Sequence, residues 1–382
     1  MSKIYTALGT MCGTSLDGID LSIIRTDGED HLSLSKNDYL EFSNSLKQKI
    51  RTIKSKISST TECKKVINSN EYKDLSKEIT MLHQEGLIKA AGYGGGNQID
   101  IIGFHGITLW HKPADRYTHQ IGDAELLKNA IAKYKNLKNS KIIFNFREND
   151  ILNGGQGAPL TSIYHKTLMK YLKIVDPRLI VNIGGITNAT YFNRGNIFST
   201  DIGPGNCLID KWIKKNFDKE FDKGGKVSLE GKINKNLADN FLRKLEEKTK
   251  NKNVSYDTSD FNILEFNKLK PKDGAATLSY ITAQAILNFA KDLELKRIII
   301  CGGGRFNQAI LNNLKKGVFK ISLIDDVTSS QNDDSILELN GDFIESQAFA
   351  YLAVRSYLKL PISFPETTGV EKPCVGGKKI EF

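Results

Sequence analysis

The chain has 382 residues, enough for two domains of ordinary size, and its 40% hydrophobic and 26% charged composition is that of a globular protein. No apolar run approaches the roughly 20 residues of a membrane-spanning helix, and Met1-Ser2-Lys3 leads into a strand-like segment without signal-peptide architecture, so a cytoplasmic protein with no membrane role is expected. The net charge of +10 does not point to nucleic acid, because the lysines are scattered over solvated helix faces such as 235–252 and no basic stripe interleaves with aromatics; a positive field favours small anionic substrates instead.

Taken in order, the apolar run Ile4 to Leu8 predicts a strand, and the alternating run Ile19 to Ile24 predicts its partner. Between them lies Met11-Cys12-Gly13-Thr14-Ser15-Leu16-Asp17-Gly18, a polar turn that closes a hairpin. Its glycines let backbone N–H groups approach phosphate oxygens, and its two hydroxyls add donors. Asp17 or Asp20 could hold a hydrated Mg2+ ion, which prefers a carboxylate plus water. Cys12 reads as a small packing residue of that turn. The five cysteines are odd in number and form no CxxC pair, which argues against a disulfide framework and a zinc site.

A lysine-rich helical stretch covers roughly 43–91, and Gly92 to Gly96 reads as a flexible connector. Ile99 to Phe104 predicts a strand ending on His105-Gly106-Ile107-Thr108. His105 there is either a structural histidine or a substrate contact. A helix near 123–134 follows, with Asp123 as its N-terminal cap, then a strand at 141–146. Phe146-Arg147-Glu148-Asn149-Asp150 precedes Gly154 to Leu160. Arg147 suits bidentate capture of a carboxylate, and the glycine run is either a mobile inter-domain loop or a backbone approach to ligand.

The second half repeats the plan. Leu179 to Ile183 predicts a buried strand, Gly184-Gly185-Ile186-Thr187-Asn188 a turn, and Ala189 to Phe192 the return. Two glycine hairpins, one per half, suggest a duplicated domain with nucleotide between the copies. Asp201 follows the strand-like Asn196 to Ser199 and precedes Gly203-Pro204-Gly205. It either caps an Asx-type turn or serves as a general base on a rigid mount. Leu278 to Leu293 has helical spacing. Arg297 to Ile300 is a buried strand that ends in Gly302-Gly303-Gly304, with Asn307 ahead of a helix starting near Gln308. That triplet either offers amides to a phosphate or the nucleoside sugar, or is only a tight connection. The helix Phe343 to Leu358 is expected to pack back onto the first half. Glu345 at its start is a ligand contact or a partner of the helix dipole.

These motifs, in this order and across almost the whole length, resemble the anhydro-N-acetylmuramic acid kinase family. The resemblance implies an α/β fold of two ribonuclease-H-like, actin-like ATPase domains around a central cleft for nucleotide and sugar. The domains expected are 1–135 plus 343–382, and 136–342. It implies ATP and Mg2+ as cofactors and 1,6-anhydro-N-acetylmuramic acid as substrate, no nucleic acid or membrane partner, and a homodimer as a compatible assembly. Water opens the internal ether and the freed 6-oxygen takes the γ-phosphoryl group. Asp201 aligns with the family's base. Nucleotide contacts fall on Gly13, Thr14, Ser15, Leu16, Asp17, Gly18, Ile19 and Asp20, then on Gly184, Gly185, Gly203, Gly302, Gly303, Gly304 and Asn307, with Asp17 and Asp20 toward the metal. His105, Thr108, Arg147, Asp150 and Glu345 fall in the motifs lining the sugar site.

The chain departs from the family pattern in three places. Cys12 replaces a serine, Ile107 replaces the glutamine of His-Gly-Gln-Thr, and Glu148-Asn149 thin a basic run. Ile107 motivates a second reading, a kinase of the same fold acting on an ordinary hexose or amino sugar. A third reading, a catalytically silent nucleotide-binding protein, is opposed by Asp201 and the phosphate hairpin.

Overall fold

The computed structural model describes all residues except 1, 14, 93–95, 97, 175–177, 194–195, 250–254, 292, 294, 296, 328–338 and 381–382. The first apolar run forms β1 (Tyr5–Met11), and β2 (Gly18–Thr26) returns antiparallel with Met11 opposite Asp20. A third strand, β3 (Leu32–Glu41), adds to β2. The sequence does not announce it: only Leu32 and Leu34 alternate before polar residues take over, so pairing to β2 supplies the order. The lysine-rich stretch is three helices, α1 (Asn44–Ser55), α2 (Thr60–Val66) and α3 (Asn70–Ala91). Ser43, Ser59 and Ser69 cap them, each accepting from an amide of the first turn.

Next come β4 (Ile101–Phe104), then a separate hairpin of β5 (Ile107–Lys112) and β6 (Tyr117–Ile121), then α4 (Ala124–Ile131) capped by Asp123 as expected. The strand β7 (Lys141–Phe144) precedes α5 (Glu148–Leu152) and α6 (Ser162–Tyr171). Strands β4 and β7 run parallel to β1, giving the sheet order β3-β2-β1-β4-β7.

The second half opens with β8 (Arg178–Ile183), β9 (Ile186–Asn193) and β10 (Asn196–Pro204). Helices α7 (Cys207–Phe217), α8 (Lys226–Leu229), α9 (Lys235–Thr249) and α10 (Pro271–Lys291) follow. Then β11 (Arg297–Cys301) leads through the glycine triplet to α11 (Gln308–Leu314) and β12 (Lys320–Leu323). The sheet order is β10-β9-β8-β11-β12, with the hairpin strands antiparallel and β8, β11 and β12 parallel. Both halves therefore share one connectivity: a hairpin, a third antiparallel strand, then two parallel additions on the far side of the first strand. This is the ribonuclease-H-like plan twice, the α/β architecture of actin-like ATPases, and it carries the duplication suggested by the paired glycine turns.

The chain closes with α12 (Ile344–Tyr357) and a short β13 (Lys378–Lys379) beside β7. The described residues of 1–173 and 343–382 form unit 1, and those of 174–328 and 339–342 form unit 2. Residues 136–173, assigned to the second domain on sequence, thus cluster within unit 1. The reason is local: β7 pairs with β4, and Tyr164 of α6 donates to Gln347 of α12 at 2.7 Å.

Helix α12 sits directly on the unit 1 sheet. A Cβ at Gly9 of β1 would lie 2.1 Å from the Ser346 carbonyl oxygen and 2.3 Å from the Ala350 nitrogen, and one at Gly103 of β4 would lie 2.3 Å from the Phe349 carbonyl oxygen. Two glycines and the buried Ala348, Ala350 and Ala353 allow backbone to rest on backbone. The helix that carries Glu345 is thereby fixed to the strand that ends in the polar turn.

Candidate active site

In unit 1, the turn after β1 is shaped by Leu16, which adopts a positive φ of 61° and buries its side chain. Its amide donates to the Gly13 carbonyl at 3.1 Å. Ser15 and Asp17 are consequently presented to solvent, and Thr14 lies outside the described residues. Gly18 and Ile19 belong to β2. A Cβ at Gly18 would meet the Leu40 carbonyl oxygen at 2.3 Å, so the third strand demands that glycine, and the Ile19 side chain is in the core. Asp17 stands 4.0 Å from Lys47 Nζ, and Asp20 lies in β2 opposite Met11. Cys12 is buried 3.6 Å from His83 Nε2. His83 Nδ1–H donates to the Ile79 carbonyl, which leaves Nε2 as the acceptor of the thiol proton. Burial, then the nearby Asp20 charge, pushes the Cys12 thiol well above its ordinary range, so it is a packing residue and not a nucleophile.

The loop after β4 and the segment after β7 bring three of the expected sugar-site residues together. His105 Nδ1–H donates to the Gly106 carbonyl at 3.0 Å, so Nε2 is bare and accepts from Arg147 Nε at 3.1 Å. Burial, and next the Arg147 charge, hold the His105 pKa well below 6.5. Arg147 Nη1 donates to the Gly157 carbonyl at 2.7 Å. Phe349 of α12 lies under both, its ring 4.4 Å from His105 and 5.9 Å from the guanidinium carbon. Glu345, four residues earlier, feels Arg147: burial pushes its carboxyl pKa up and the guanidinium pulls against that rise. The sequence contained a signal for Phe349, since i and i+4 share a helix face.

Asp150 is bonded to the loop that holds Arg147. It is fully buried in α5, and its Oδ1 accepts the Gly157 amide. Its main-chain carbonyl accepts the Gly155 amide at 2.9 Å. Burial raises its pKa, and the Thr368 and Ser363 hydroxyls oppose the rise. Asp150 therefore bears on Arg147 through Gly157. His111 Nε2–H donates to the Gln156 carbonyl at 2.9 Å and steadies the same loop. Thr108 lies in β5, opposite Gln120. Ile107, the departure from the family pattern, turns its side chain into the core and is 1% exposed.

In unit 2, Asp201 lies within β10 beside a bulge between Asp201 and Gly203, a place where strands re-aim side chains. The carboxylate is 7% exposed, and its Oδ2 accepts the Tyr256 amide at 2.7 Å. The Gly184-Gly185 turn is tied to the start of α7: Gly205 N donates to Gly185 O at 3.0 Å and Asn206 N to Gly184 O at 2.8 Å. Gly302 has φ 76°, and a Cβ there would lie 2.2 Å from Asn182 Oδ1. The glycine triplet thus lies against the end of β8. A Cβ at Gly184 or Gly303 would meet nothing closer than 3.5 Å and 4.0 Å respectively, so no neighbouring atom crowds these two positions. Asn307 is an N-cap, its Oδ1 accepting from Ala309 N and Ile310 N. Tyr256 and the buried Arg305 are further parts of this region that sequence reasoning did not single out; their partners are remote in the chain.

Similarity to known proteins agrees with the motifs. A family model described as anhydro-N-acetylmuramic acid kinase matches residues 5–381. The chain belongs to the anhydro-N-acetylmuramic acid kinase family. Curated relatives with that name include a Pelagibacter ubique protein, 39% identical over 99% of this chain and 98% of the relative, and one from Agrobacterium fabrum, 35% identical over 99% of both. Among solved structures, the chain is similar to a ROK family glucokinase from Streptomyces griseus in complex with glucose and AMPPNP, at 9% identity and a TM-score of 0.38 over 91% of this chain and 99% of that one. That last likeness carries nothing about chemistry.

Proposed function

We propose that this protein uses ATP to open 1,6-anhydro-N-acetylmuramic acid and phosphorylate its 6-oxygen, giving N-acetylmuramic acid 6-phosphate and ADP in cell-wall recycling. The observation that carries the reading is Asp201: a nearly buried carboxylate on a bulged strand, with one oxygen held by a main-chain amide. In our reading the other oxygen takes a proton from water. The water oxygen bonds to the anomeric carbon, the bond from that carbon to O6 breaks, and its electron pair stays on O6. O6 then bonds to the γ-phosphorus, the bond to the β–γ bridging oxygen breaks, and ADP leaves. A base of this kind contributes about 10²- to 10⁴-fold.

The remaining assignments belong to the same proposal. Arg147, aimed by His105 and Gly157, captures the substrate carboxylate, and Glu345 orients sugar hydroxyls. Amides at Gly13 and Gly303 approach phosphate oxygens, where the glycines leave room, while the Gly184 amide closes its own turn on the Ile186 carbonyl at 3.2 Å. Asp17 fits a Mg2+ ion held through water, because its carboxylate is 67% exposed on the polar turn and offers hard oxygen donors. When bound, the ion supplies neutralising charge to the phosphates. Placement of these two sets of residues about one nucleotide and one sugar, a cytoplasmic location and a homodimer complete the proposal. Ile107 no longer favours an ordinary hexose, since its side chain is buried in the core.

Purified protein with the anhydro-sugar and Mg-ATP should yield the 6-phosphate by mass spectrometry. Asp201→Asn should lower kcat by about 10²-fold or more while ADP affinity stays within about twofold. Turnover that survives in this variant removes Asp201 from the role of base, and absence of any phosphorylated sugar with the wild type removes the kinase reading.

A further inference from the structure

Arg305 is buried and densely hydrogen-bonded in unit 2, and no step above uses it. It follows the glycine triplet directly, and its side chain is 1% exposed. All five of its N–H groups have acceptors. Nε donates to Asp325 Oδ2 at 2.6 Å and Nη2 to Asp325 Oδ1 at 3.2 Å, a forked pair. Nη2 also donates to Asn340 Oδ1 at 3.3 Å. Nη1 donates to the Gly302 carbonyl at 3.2 Å and to Asp342 Oδ1 at 2.6 Å. The Phe306 ring lies over the guanidinium at 3.9 Å.

Three segments meet on this one group: the glycine loop, the turn at Asp325, and residues 340–342. The last segment is pressed close. A Cβ at Gly341 would lie 2.8 Å from Arg305 Nε and 2.7 Å from Ile324 Cγ2, so only glycine fits. The Gly341 amide also donates to Asp325 Oδ1 at 2.9 Å. Asp342 is the last residue of unit 2, and the chain enters unit 1 at Phe343, two residues before Glu345. A single nitrogen, Nη1, therefore holds both the carbonyl of the nucleotide loop and the residue at which the chain leaves the unit.

We infer that Arg305 is a positioning residue that couples nucleotide at the glycine triplet to the sugar site, through Asp342 and the chain leading to Glu345. The inference rests on the kinase reading for its ligands. A ligand that shifts the Gly302 carbonyl moves Nη1, and Nη1 moves Asp342. Lysine cannot replace this function, because an ammonium has no planar fork to span three segments.

Calorimetry of anhydro-sugar binding, with and without a non-hydrolysable ATP analogue, tests this on the full chain. In the wild type the analogue should tighten sugar binding about fivefold or more, the usual lower range of linked sites. Asp342→Asn keeps the shape of a half-exposed side chain and removes one charged contact. It should cut that enhancement to below about twofold while sugar affinity without nucleotide stays within about twofold of wild type. Arg305→Lys should lose the enhancement as well, and its melting temperature reports any folding defect separately. A full enhancement in Asp342→Asn overturns the inference, as does a wild type with no enhancement. A variant weakened equally with and without nucleotide also overturns it, since that is a structural role. If the wild type binds neither ligand, the kinase reading fails and this inference falls with it.

Discussion

Arg147 donates to two acceptors that take no proton from it at neutral pH, His105 Nε2 and the Gly157 carbonyl. The neutral state of His105 is a consequence of burial and of the adjacent guanidinium. It preserves the contact, because a protonated ring would have no lone pair to offer and would repel Arg147. Arg147→Lys keeps the charge and loses the planar fork, so the sugar KM should rise about 10- to 100-fold, or about 1.4–2.7 kcal/mol, with the ATP KM within about twofold. Equal rises in both constants would place Arg147 away from the sugar. His105→Ala should reproduce part of this effect. Because the His105 pKa is lowered, the sugar KM should show no inflection near its ordinary 6.5, and a pH series of initial rates checks that.

At the scale of elements, the seat of α12 on β1 and β4 decides where Glu345 stands. Close backbone packing leaves no room for a methyl group at Gly9, where the nearest atoms are 2.1 Å and 2.3 Å away and belong to main chain. Main chain in a packed helix cannot swing aside as a long side chain can. Gly9→Ala should therefore cost about 3 kcal/mol or more in urea unfolding and should lower kcat in whatever fraction stays folded. Ser15→Ala, on the exposed turn, should change stability by less than about 0.5 kcal/mol. A Gly9→Ala protein as stable as wild type would mean that α12 does not rest on β1 as described. Asp150 illustrates the same logic in a loop. Its carboxylate holds the Gly157 amide, and the Gly157 carbonyl holds Arg147, so one loop residue links the two side chains.

Across the whole molecule, the glycine hairpins, the strand before the glycine triplet and the last helix were legible because each carries its signal within about ten residues. The unlegible parts depend on partners remote in sequence. β3 is held by β2, residues 136–173 join unit 1 through sheet pairing to β4, and Arg305 reaches Asp325 and Asp342, 20 and 37 residues on. Histidine placement is another whole-chain property with a consequence for stability. All 6 histidines fall in unit 1 and none in unit 2. Burial lowers His83, His119 and His165 to about 4, and His105 shifts the same way. Lowered values mean that the unfolded chain binds more protons below its own pKa of about 6.5, so stability is present above that pH and is lost as pH falls toward 4. At pH about 5.5 each such group costs about 1.4 kcal/mol, and three cost about 4 kcal/mol. The raised carboxyls Asp150 and Glu345 act in the opposite sense, only where their folded values exceed the ambient pH, and they are two against four. Unit 1 should therefore lose structure on acidification before unit 2. The two tryptophans, Trp110 in unit 1 and Trp212 in unit 2, report them separately. Fluorescence of Trp212→Phe should show an acid midpoint at higher pH than that of Trp110→Phe, and coincident midpoints would show that the units unfold as one and that the histidines do not decide the order.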